Sequence, residues 1–407
     1  MKAFGQNLWP LIAAGIALAA CSQPAELSRL QYTPSGVVSN REAAPPRYSV
    51  LHSFGALPDG NAPGAGVTDR SGGIFYGTTT FGGAYSCGGY TCGTVFSLMA
   101  DGTEKVLHSF GNGSDGANPQ ADLIDVGKTL YGTTSSGSYG YGAVFSVSTN
   151  GDERVIHTFG QGTDGRNPAA GLIEVQGTLY GTTQFGGAHN RGTVFSITPS
   201  GAERVLHSFG KGSDGSQPLA RLIYVAGSFY GTTSKGGLYT CDRETCGTVF
   251  SVAANGAETV LHSFGHGTDG SNPGAGLVNV SGTLYGTTAG GGTLARGTVF
   301  GVTTAGKERV LHSFGKETDG GDPIAELIDV GGALYGTTAG GGAHAGGTIF
   351  SITTGGAERV LHSFGKGLDG SEPLARLSYK RGSLVGTTKH GGAFDHGTVF
   401  SLTPPQH

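Results

Sequence analysis

The stretch GTVFSITPSGAERVLHSFG, residues 192–210, decides the fold of this chain because close copies of it recur along most of the sequence. It contains two runs of β-branched and aromatic residues separated by the turn pair Ser200-Gly201, which is the pattern of a β-hairpin. Its histidine recurs at intervals of 56, 49, 50, 55, 50 and 50 residues. The seven copies are His52, His108, His157, His207, His262, His312 and His362. A period of about 50 residues made of short strands and glycine turns is typical of a propeller blade.

The residues before this hairpin complete a four-stranded unit. GLIEVQG at 171–177 and TLYGTTQFGG at 178–187 are two further short runs that end in glycine turns. Each unit therefore supplies four strands, a to d, and radial repetition of such antiparallel blades protects their edges. We predict an all-β chain that folds as a seven-bladed β-propeller of four-stranded antiparallel blades.

The phase of the repeat predicts how the ring closes. The first strand pattern, at 48–54, is that of strand d, whereas the last one, at 397–403, is that of strand c. The seventh blade therefore lacks only strand d, and the N-terminal strand can supply it by pairing beside 397–403. This interpretation places the propeller at 48–403 and leaves a short tail at 404–407.

The N-terminus has the pattern of an export signal. Lys2 precedes an almost wholly apolar run, residues 8–20, that is too short to span a bilayer. The sequence LAAC at 18–21 resembles a bacterial lipobox, which implies lipid modification of Cys21; ordinary cleavage with Cys21 incidental is the alternative. Residues 22–47 have the composition of a flexible tether. We predict an exported lipoprotein, periplasmic or on the cell surface, whose anchor makes the membrane its partner.

The cysteines agree with export. Of five cysteines, Cys21 is left over after two local pairs, Cys87 with Cys92 and Cys241 with Cys246. In an oxidising compartment each pair is expected to form a disulfide at the base of a loop. A zinc site with four cysteine ligands would require loops of blades 1 and 4 to meet, nearly across the ring.

Composition excludes other classes of protein. Glycine accounts for 78 of 407 residues but has no three-residue period, so the chain is not collagen-like. Charged residues make up 13% of the chain and the formal net charge is -4, without a long basic run. Nucleic acid is therefore not an expected partner.

The region 48–403 resembles the GloVer-type tandem repeats of bacterial choice-of-anchor proteins through the motifs GTVFS-T--G-E-VLHSFG and LYGTT--GG. This resemblance implies an exported repeat protein and supplies no catalytic residues. The Gly-Gly pair and the period are also similar to kelch propellers, although the one tryptophan, Trp9, lies in the predicted signal.

The repeated polar residues have a structural explanation. The histidine lies in mid-strand, so we expect it to hydrogen-bond to a repeated threonine or aspartate, with metal ligation or catalysis as the alternative. An aspartate precedes glycine in every unit, at Asp59, Asp115, Asp164, Asp214, Asp269, Asp319 and Asp369. Asp-Gly followed by proline is turn chemistry, and one dependable carboxylate per loop is too few for calcium. No metal or cofactor is predicted.

Function is expected where the repeats differ. The interval from the strand-b tyrosine to the strand-c glycine is 12 residues in units 3, 5 and 6 but 17 in units 1 and 4, which carry the paired cysteines. Tyrosines accumulate in these b-to-c loops, at Tyr85, Tyr90, Tyr139, Tyr141 and Tyr239. Such side chains bring contact area at low entropy cost and predict a binding patch for a glycan or a protein. The alternative is that they pack over neighbouring loop glycines.

The sequence thus favours a monomeric binding or scaffolding module. The alternative is an enzyme acting on polysaccharide, a lyase or hydrolase, with its site at the mouth of the central channel. Unrepeated loop residues that could serve it are Asp242, Arg243, Glu244, His189, Arg191, His344, Asp395 and His396. No nucleophile, base and orienter triad is recognisable. A third alternative is a purely structural envelope protein.

Overall fold

Seven four-stranded antiparallel sheets follow one another along the chain and form the predicted seven-bladed propeller. The computed structural model describes residues 45–55, 57–70, 73–137, 140–241, 244–316 and 318–405, without the side chains of 244 and 245. Within this part of the chain the regular structure consists of strands and short turns. No helix there has the length and apolar character needed to cross a membrane. The predicted signal, Cys21 and most of the tether lie outside the described residues.

The strands recur at equivalent positions in every blade. Strand a covers Thr68–Arg70, Ile124–Val126, Ile173–Val175, Ile223–Val225, Val278–Val280, Ile328–Val330 and Ser378–Lys380. Strand b covers Ile74–Thr79, Thr129–Thr134, Thr178–Thr183, Ser228–Thr233, Thr283–Thr288, Ala333–Thr338 and Ser383–Thr388. Strand c covers Thr94–Met99, Ala143–Val147, Thr193–Ile197, Thr248–Ala253, Thr298–Thr303, Thr348–Thr353 and Thr398–Thr403. Strand d covers Glu104–Ser109, Glu153–Thr158, Glu203–Ser208, Glu258–Ser263, Glu308–Ser313, Glu358–Ser363 and, in blade 7, Arg47–Ser53.

The ring closes as predicted. The N-terminal strand Arg47–Ser53 pairs antiparallel with Thr398–Thr403, and Ser49 lies opposite Ser401. Strands a of neighbouring blades contact each other, which places them innermost, and this contact continues between blades 7 and 1. The seventh blade is therefore complete only because the two ends of the propeller share one sheet.

Strand d carries a bulge in each blade. In blade 3, His207 lies opposite Val194 and Val205 lies opposite Phe195, so Leu206 is the extra residue. The same register shift occurs in the other six blades. A bulge bends the strand and increases its twist, which re-aims the side chains that follow. The sequence pattern alone does not reveal it.

The hydrophobic core lies between the blades. In one cluster, Tyr131 and Val144 of blade 2 pack with Leu172 and Phe195 of blade 3. Phe195 is fully buried. The strand-b glycine of LYGTT makes this packing fit, because a Cβ on Gly181 would lie 2.7 Å from the Phe195 ring. Each blade thus depends on its neighbour to bury its apolar face, as expected for a repeat protein.

The threonines of LYGTT add polar links. Thr182 donates its hydroxyl hydrogen to the Ala220 carbonyl in the loop that enters the next blade, at 3.2 Å. Thr183 and Thr193 share a hydrogen bond of 2.8 Å between strands b and c. All three threonines are buried, so these bonds satisfy groups that would otherwise destabilise the sheet.

Candidate functional site

Each repeated histidine lies against the aspartate seven residues later. The Nε2–Oδ2 distance is 3.0 Å at His108, 3.1 Å at His157, 3.3 Å at His207, 2.9 Å at His262, 3.1 Å at His312 and 3.1 Å at His362. The second oxygen of Asp214 accepts the Gly210 backbone N–H at 2.9 Å, and the other blades repeat this bond. The partner is thus the aspartate and not a threonine, and the pair shapes the d-to-a loop.

A glutamate from the next blade approaches six of these pairs. It begins strand d, four residues before the histidine, at Glu104, Glu153, Glu203, Glu258, Glu308 and Glu358. One carboxylate oxygen of each is buried and, among the described residues, has no hydrogen-bond partner. Burial raises the pKa of Glu153, Glu203, Glu258 and Glu358 to about 7. Tyr48 takes this position in blade 7 and stacks on His362 at 4.0 Å.

We expect Glu203→Gln to stabilise the protein at pH 8 and to leave stability nearly unchanged at pH 5. Glu203 has a pKa of about 7 in the folded state, against an ordinary value of 4.5. Between pH 4.5 and pH 7 the folded state therefore binds more protons at this residue than the unfolded state does. Its contribution to stability therefore falls as pH rises through this window. Because Glu203 is only half-buried, we expect a gain of about 1 kcal/mol at pH 8.

The measurement is urea unfolding of both proteins at pH 5 and pH 8. Glu174→Gln is the matched control, because Glu174 is an exposed glutamate of the same blade. An E203Q variant whose stability difference from wild type is the same at both pH values would contradict the prediction.

The long loop of blade 1 forms a small disulfide-closed hairpin. Ser86–Cys87 pairs with Tyr90–Thr91, and the predicted Cys87–Cys92 disulfide is confirmed. The Tyr90 side chain is 72% exposed and its ring lies 6.1 Å from that of Phe81. Tyr85 is exposed on the same hairpin. This loop therefore presents aromatic surface to solvent.

The long loop of blade 4 forms a second disulfide-closed hairpin. Thr240–Cys241 pairs with Glu244–Thr245, and the predicted Cys241–Cys246 disulfide is confirmed. The Tyr239 ring lies 5.5 Å from that of His266, beside a cleft of about 410 Å³. The blade 1 and blade 4 hairpins are three blades apart along the ring, so they do not form one continuous surface.

Tyr141 has a packing role. Its ring lies against Gly160, where an added Cβ would come within 2.2 Å of it, and the Arg166 guanidinium lies 5.7 Å from its centroid. Tyr141 therefore packs over a neighbouring loop glycine, which is the alternative to a binding role that the sequence left open for the loop tyrosines. Tyr139 lies outside the described residues.

The described unrepeated loop residues are divided among blades 3, 6 and 7. His189 and Arg191 are exposed on blade 3, and His344 is exposed on blade 6. On blade 7, Asp395 accepts the Gly391 backbone N–H at 2.8 Å, and His396 bonds to a backbone carbonyl. Asp242, Arg243 and the Glu244 side chain lie outside the described part. Among the described side chains, no hydrogen bond or ion pair joins two of these candidates.

The structure instead brings charges together on the ring axis. Six blades line a cavity of about 110 Å³ with the residue two positions before strand a and with its neighbours, and blade 1 contributes Gly64. In chain order that position holds Gly66, Asp122, Gly171, Arg221, Gly276, Glu326 and Arg376. Arg221 donates to Glu326 at 2.6 Å, and Arg376 donates to Asp122 at 3.4 Å. Each ion pair spans a blade that has glycine there.

Sequence reasoning missed this set, which we call the channel belt. The signal was one variable position inside the P-x-A-x-L motif that recurs along the chain, with valine for leucine in blade 1; four blades carry a charge there and three carry glycine. The glycines make room: a Cβ on Gly276 would lie 2.4 Å from the Glu326 carboxylate. The Gly66 backbone N–H also donates to Asp122 at 2.6 Å. The belt thus places two ion pairs around the channel, and the Arg221 Nε atom is buried there without a hydrogen-bond partner.

A wider depression adjoins the belt on the loop face. It has a volume of about 390 Å³ and is lined by residues including Phe81, Gln120, Leu374 and Lys389. Gln120 and Leu374 also line the axial cavity, so the two spaces are adjacent. Phe81 connects the depression to Tyr90 on the blade 1 hairpin. Aromatic, amide and ammonium groups thus surround a single opening.

Comparison with family models identifies a repeat family over nearly the whole chain. The Gloeobacter/Verrucomicrobia repeat model matches residues 28–242 and 238–407. No curated protein matches the sequence.

Solved structures of other propellers are similar. They include a putative 6-phosphogluconolactonase from Bacteroides uniformis, at 16% identity over 76% of this chain and 86% of that chain, with a TM-score of 0.49. A gluconolactonase from Xanthomonas campestris has 14% identity over 68% and 82%, with a TM-score of 0.40. The β-propeller domain of the trilobed protease from Pyrococcus furiosus has 11% identity over 82% and 94%, with a TM-score of 0.47. At these values the likenesses carry no argument about activity.

Proposed function

The chain belongs to the Gloeobacter/Verrucomicrobia repeat family, and from this premise we propose that it is an exported, monomeric binding module, anchored by a lipid on Cys21, that takes a glycan on its loop face. The disulfides Cys87–Cys92 and Cys241–Cys246 indicate an oxidising, extracytoplasmic compartment. The segment 22–47 holds the ring away from the membrane. Its loop face is then free to meet a ligand.

The depression beside the channel belt carries this proposal. Ligand sites combine apolar and aromatic walls with a few polar groups that fix orientation. Phe81 and Tyr90 offer ring faces for the apolar side of a sugar, whereas Gln120 and Lys389 offer donors for its hydroxyl or carboxylate groups. Tyr90, Gln120 and Lys389 are not repeated at equivalent positions in the other blades, whereas Phe81 has one counterpart, Phe185 in blade 3. A binding role explains why the repeat departs from its pattern here.

The charges of the belt favour binding over catalysis. A glycoside hydrolase needs a carboxylic acid and a second carboxylate that are available to the scissile bond. Asp122 and Glu326 are instead each engaged by an arginine, Arg376 and Arg221 respectively. The belt is suited to forming a polar floor beneath a ligand, with its charges already paired.

We expect the double variant Phe81→Ala, Tyr90→Ala to lose glycan binding by more than about tenfold, because aromatic anchors dominate the binding energy of such surfaces. The measurement is a glycan array and an envelope-fraction pull-down with residues 45–407. The matched control is Tyr379→Ala, because Tyr379 is 46% exposed on strand a of blade 7.

The outcomes separate the candidate functions. A glycan captured by wild type and by Y379A, but not by the double variant, supports the proposal. A glycan retained by the double variant would place the site elsewhere. Capture of an envelope protein and no glycan would show that the ligand is a protein. Capture of nothing would favour a structural role.

A further inference from the structure

One of the seven histidine–aspartate pairs differs from the rest. His52 and Asp59 lie 3.5 Å apart between Nε2 and Oδ2, whereas the other six pairs are 2.9–3.3 Å apart and hydrogen-bonded. Among the described residues, His52 is the one repeated histidine whose Nε2 is buried without a hydrogen-bond partner. This nitrogen is therefore available to bind something other than Asp59.

Glu104 completes a three-residue group with this pair. The ligand atoms of His52, Asp59 and Glu104 all lie within 4.8 Å of one another, and no other group of three or more potential ligands in the described part of the chain meets this condition. Glu104 Oε1 is also buried without a partner. The equivalent glutamate oxygens at the other five seams are also unpartnered, but among the described residues only this seam adds an unpartnered histidine nitrogen. Two such buried atoms in one group of ligands are costly unless something binds there.

We propose that His52, Asp59 and Glu104 bind a zinc ion at the seam between blades 7 and 1. Zinc takes histidine nitrogen and carboxylate oxygen at about 2.0–2.2 Å, so two ligands of a tetrahedral site lie roughly 3.3 Å apart. The His52–Asp59 separation fits this geometry and is too long for a good hydrogen bond. Three protein ligands leave the fourth position for water.

The surroundings hold the ligands in place. The Asp59 carboxylate accepts the backbone N–H groups of Gly55 and Gly60, both at 2.7 Å. Such outer contacts orient metal ligands and are a regular part of zinc sites.

The position of the site gives it a role. His52 lies on the N-terminal strand, Asp59 on the loop that enters blade 1, and Glu104 at the start of strand d of blade 1. A metal bound to all three joins the closing strand to the first blade. Because the unfolded chain has no such site, zinc stabilises the closed ring. This inference is independent of the proposed glycan site.

The test is a titration of the chelator-treated full chain with Zn²⁺ alone, by calorimetry and with a competing chromophoric chelator. We expect one tight site per chain and a higher melting temperature with zinc. Glu104→Gln should weaken binding by more than about tenfold, because it replaces an anionic ligand with a neutral amide. Glu203→Gln is the matched control, since Glu203 has the equivalent place at a seam with a hydrogen-bonded pair.

The outcomes are decisive. Loss of the tight site in E104Q and its retention in E203Q support the proposal, and X-ray absorption should then show mixed nitrogen and oxygen ligands. His52→Ala should also abolish the tight site, but it can weaken the closing strand, so E104Q decides. A folded wild type that binds no zinc, or an E104Q variant that binds it as tightly, overturns the proposal.

Discussion

Removal of the N-terminal strand Arg47–Ser53 is expected to open the ring and to lower the melting temperature by roughly 10 °C or more. Among the described strands, this one alone serves as strand d of blade 7, and it pairs along the whole length of Thr398–Thr403. Tyr48 adds packing across the seam, since its ring stacks on His362 at 4.0 Å and its hydroxyl donates to the Asp369 carbonyl at 2.5 Å. Without the strand, these contacts are lost together and a strand edge is exposed.

The experiment compares two truncations, one that begins at residue 45 and keeps the strand, and one that begins at residue 55 and lacks it. Calorimetry measures the melting temperature, and light scattering after gel filtration measures association. An exposed edge strand pairs readily with another chain, so the shorter protein should also form oligomers. If the shorter protein melts at the same temperature and stays monomeric, closure by this strand does not stabilise the ring.

The closure illustrates what a repeat makes predictable. The number of blades follows from counting His52 to His362, and the partner of the first strand follows from the phase at which the repeat begins and ends. The blade count and this strand pairing depend only on the order of the repeats along the chain, so the sequence alone predicts them. The disulfides follow in the same way, because Cys87 and Cys92 are close in sequence.

The channel belt is different, because it depends on which residues meet across the ring. Arg221 and Glu326 are separated by 105 residues and by a whole blade. Only the glycine at position 276 between them lets the side chains meet. In the sequence, a single variable position in a recurring motif is indistinguishable from ordinary divergence of the repeats. Its role is visible only once the ring places the seven copies around one channel.

Tyr141 shows where a closer comparison of the repeats would have helped. It precedes the strand-c glycine, at the position that Cys92 and Arg191 occupy in blades 1 and 3. In all three blades this side chain covers a loop glycine, Gly160 in the case of Tyr141. Its aromatic character suggested a contact surface, but its position in the repeat indicates packing.

The largest single-residue effect is expected for Phe195→Ala, which should lower the free energy of unfolding by about 4 kcal/mol. Phe195 is fully buried and packs edge-on against Phe159 of the preceding blade, with 5.1 Å between ring centroids. Truncation removes this contact and leaves a cavity that Gly181 cannot fill, because it has no side chain. Urea unfolding of the variant and of wild type measures the difference.

Phe394→Ala is the matched control, because it deletes the same atoms from a side chain that is 60% exposed. We expect it to change stability by less than about 0.5 kcal/mol. The comparison tests whether the ring is held together at its blade interfaces, since the Phe195 cluster joins blades 2 and 3. If that interface is essential, the whole ring should still unfold in one transition, with an unchanged dependence on urea. A Phe195→Ala loss below 1 kcal/mol, or a separate early transition for part of the chain, would instead show that the blades are stable one by one.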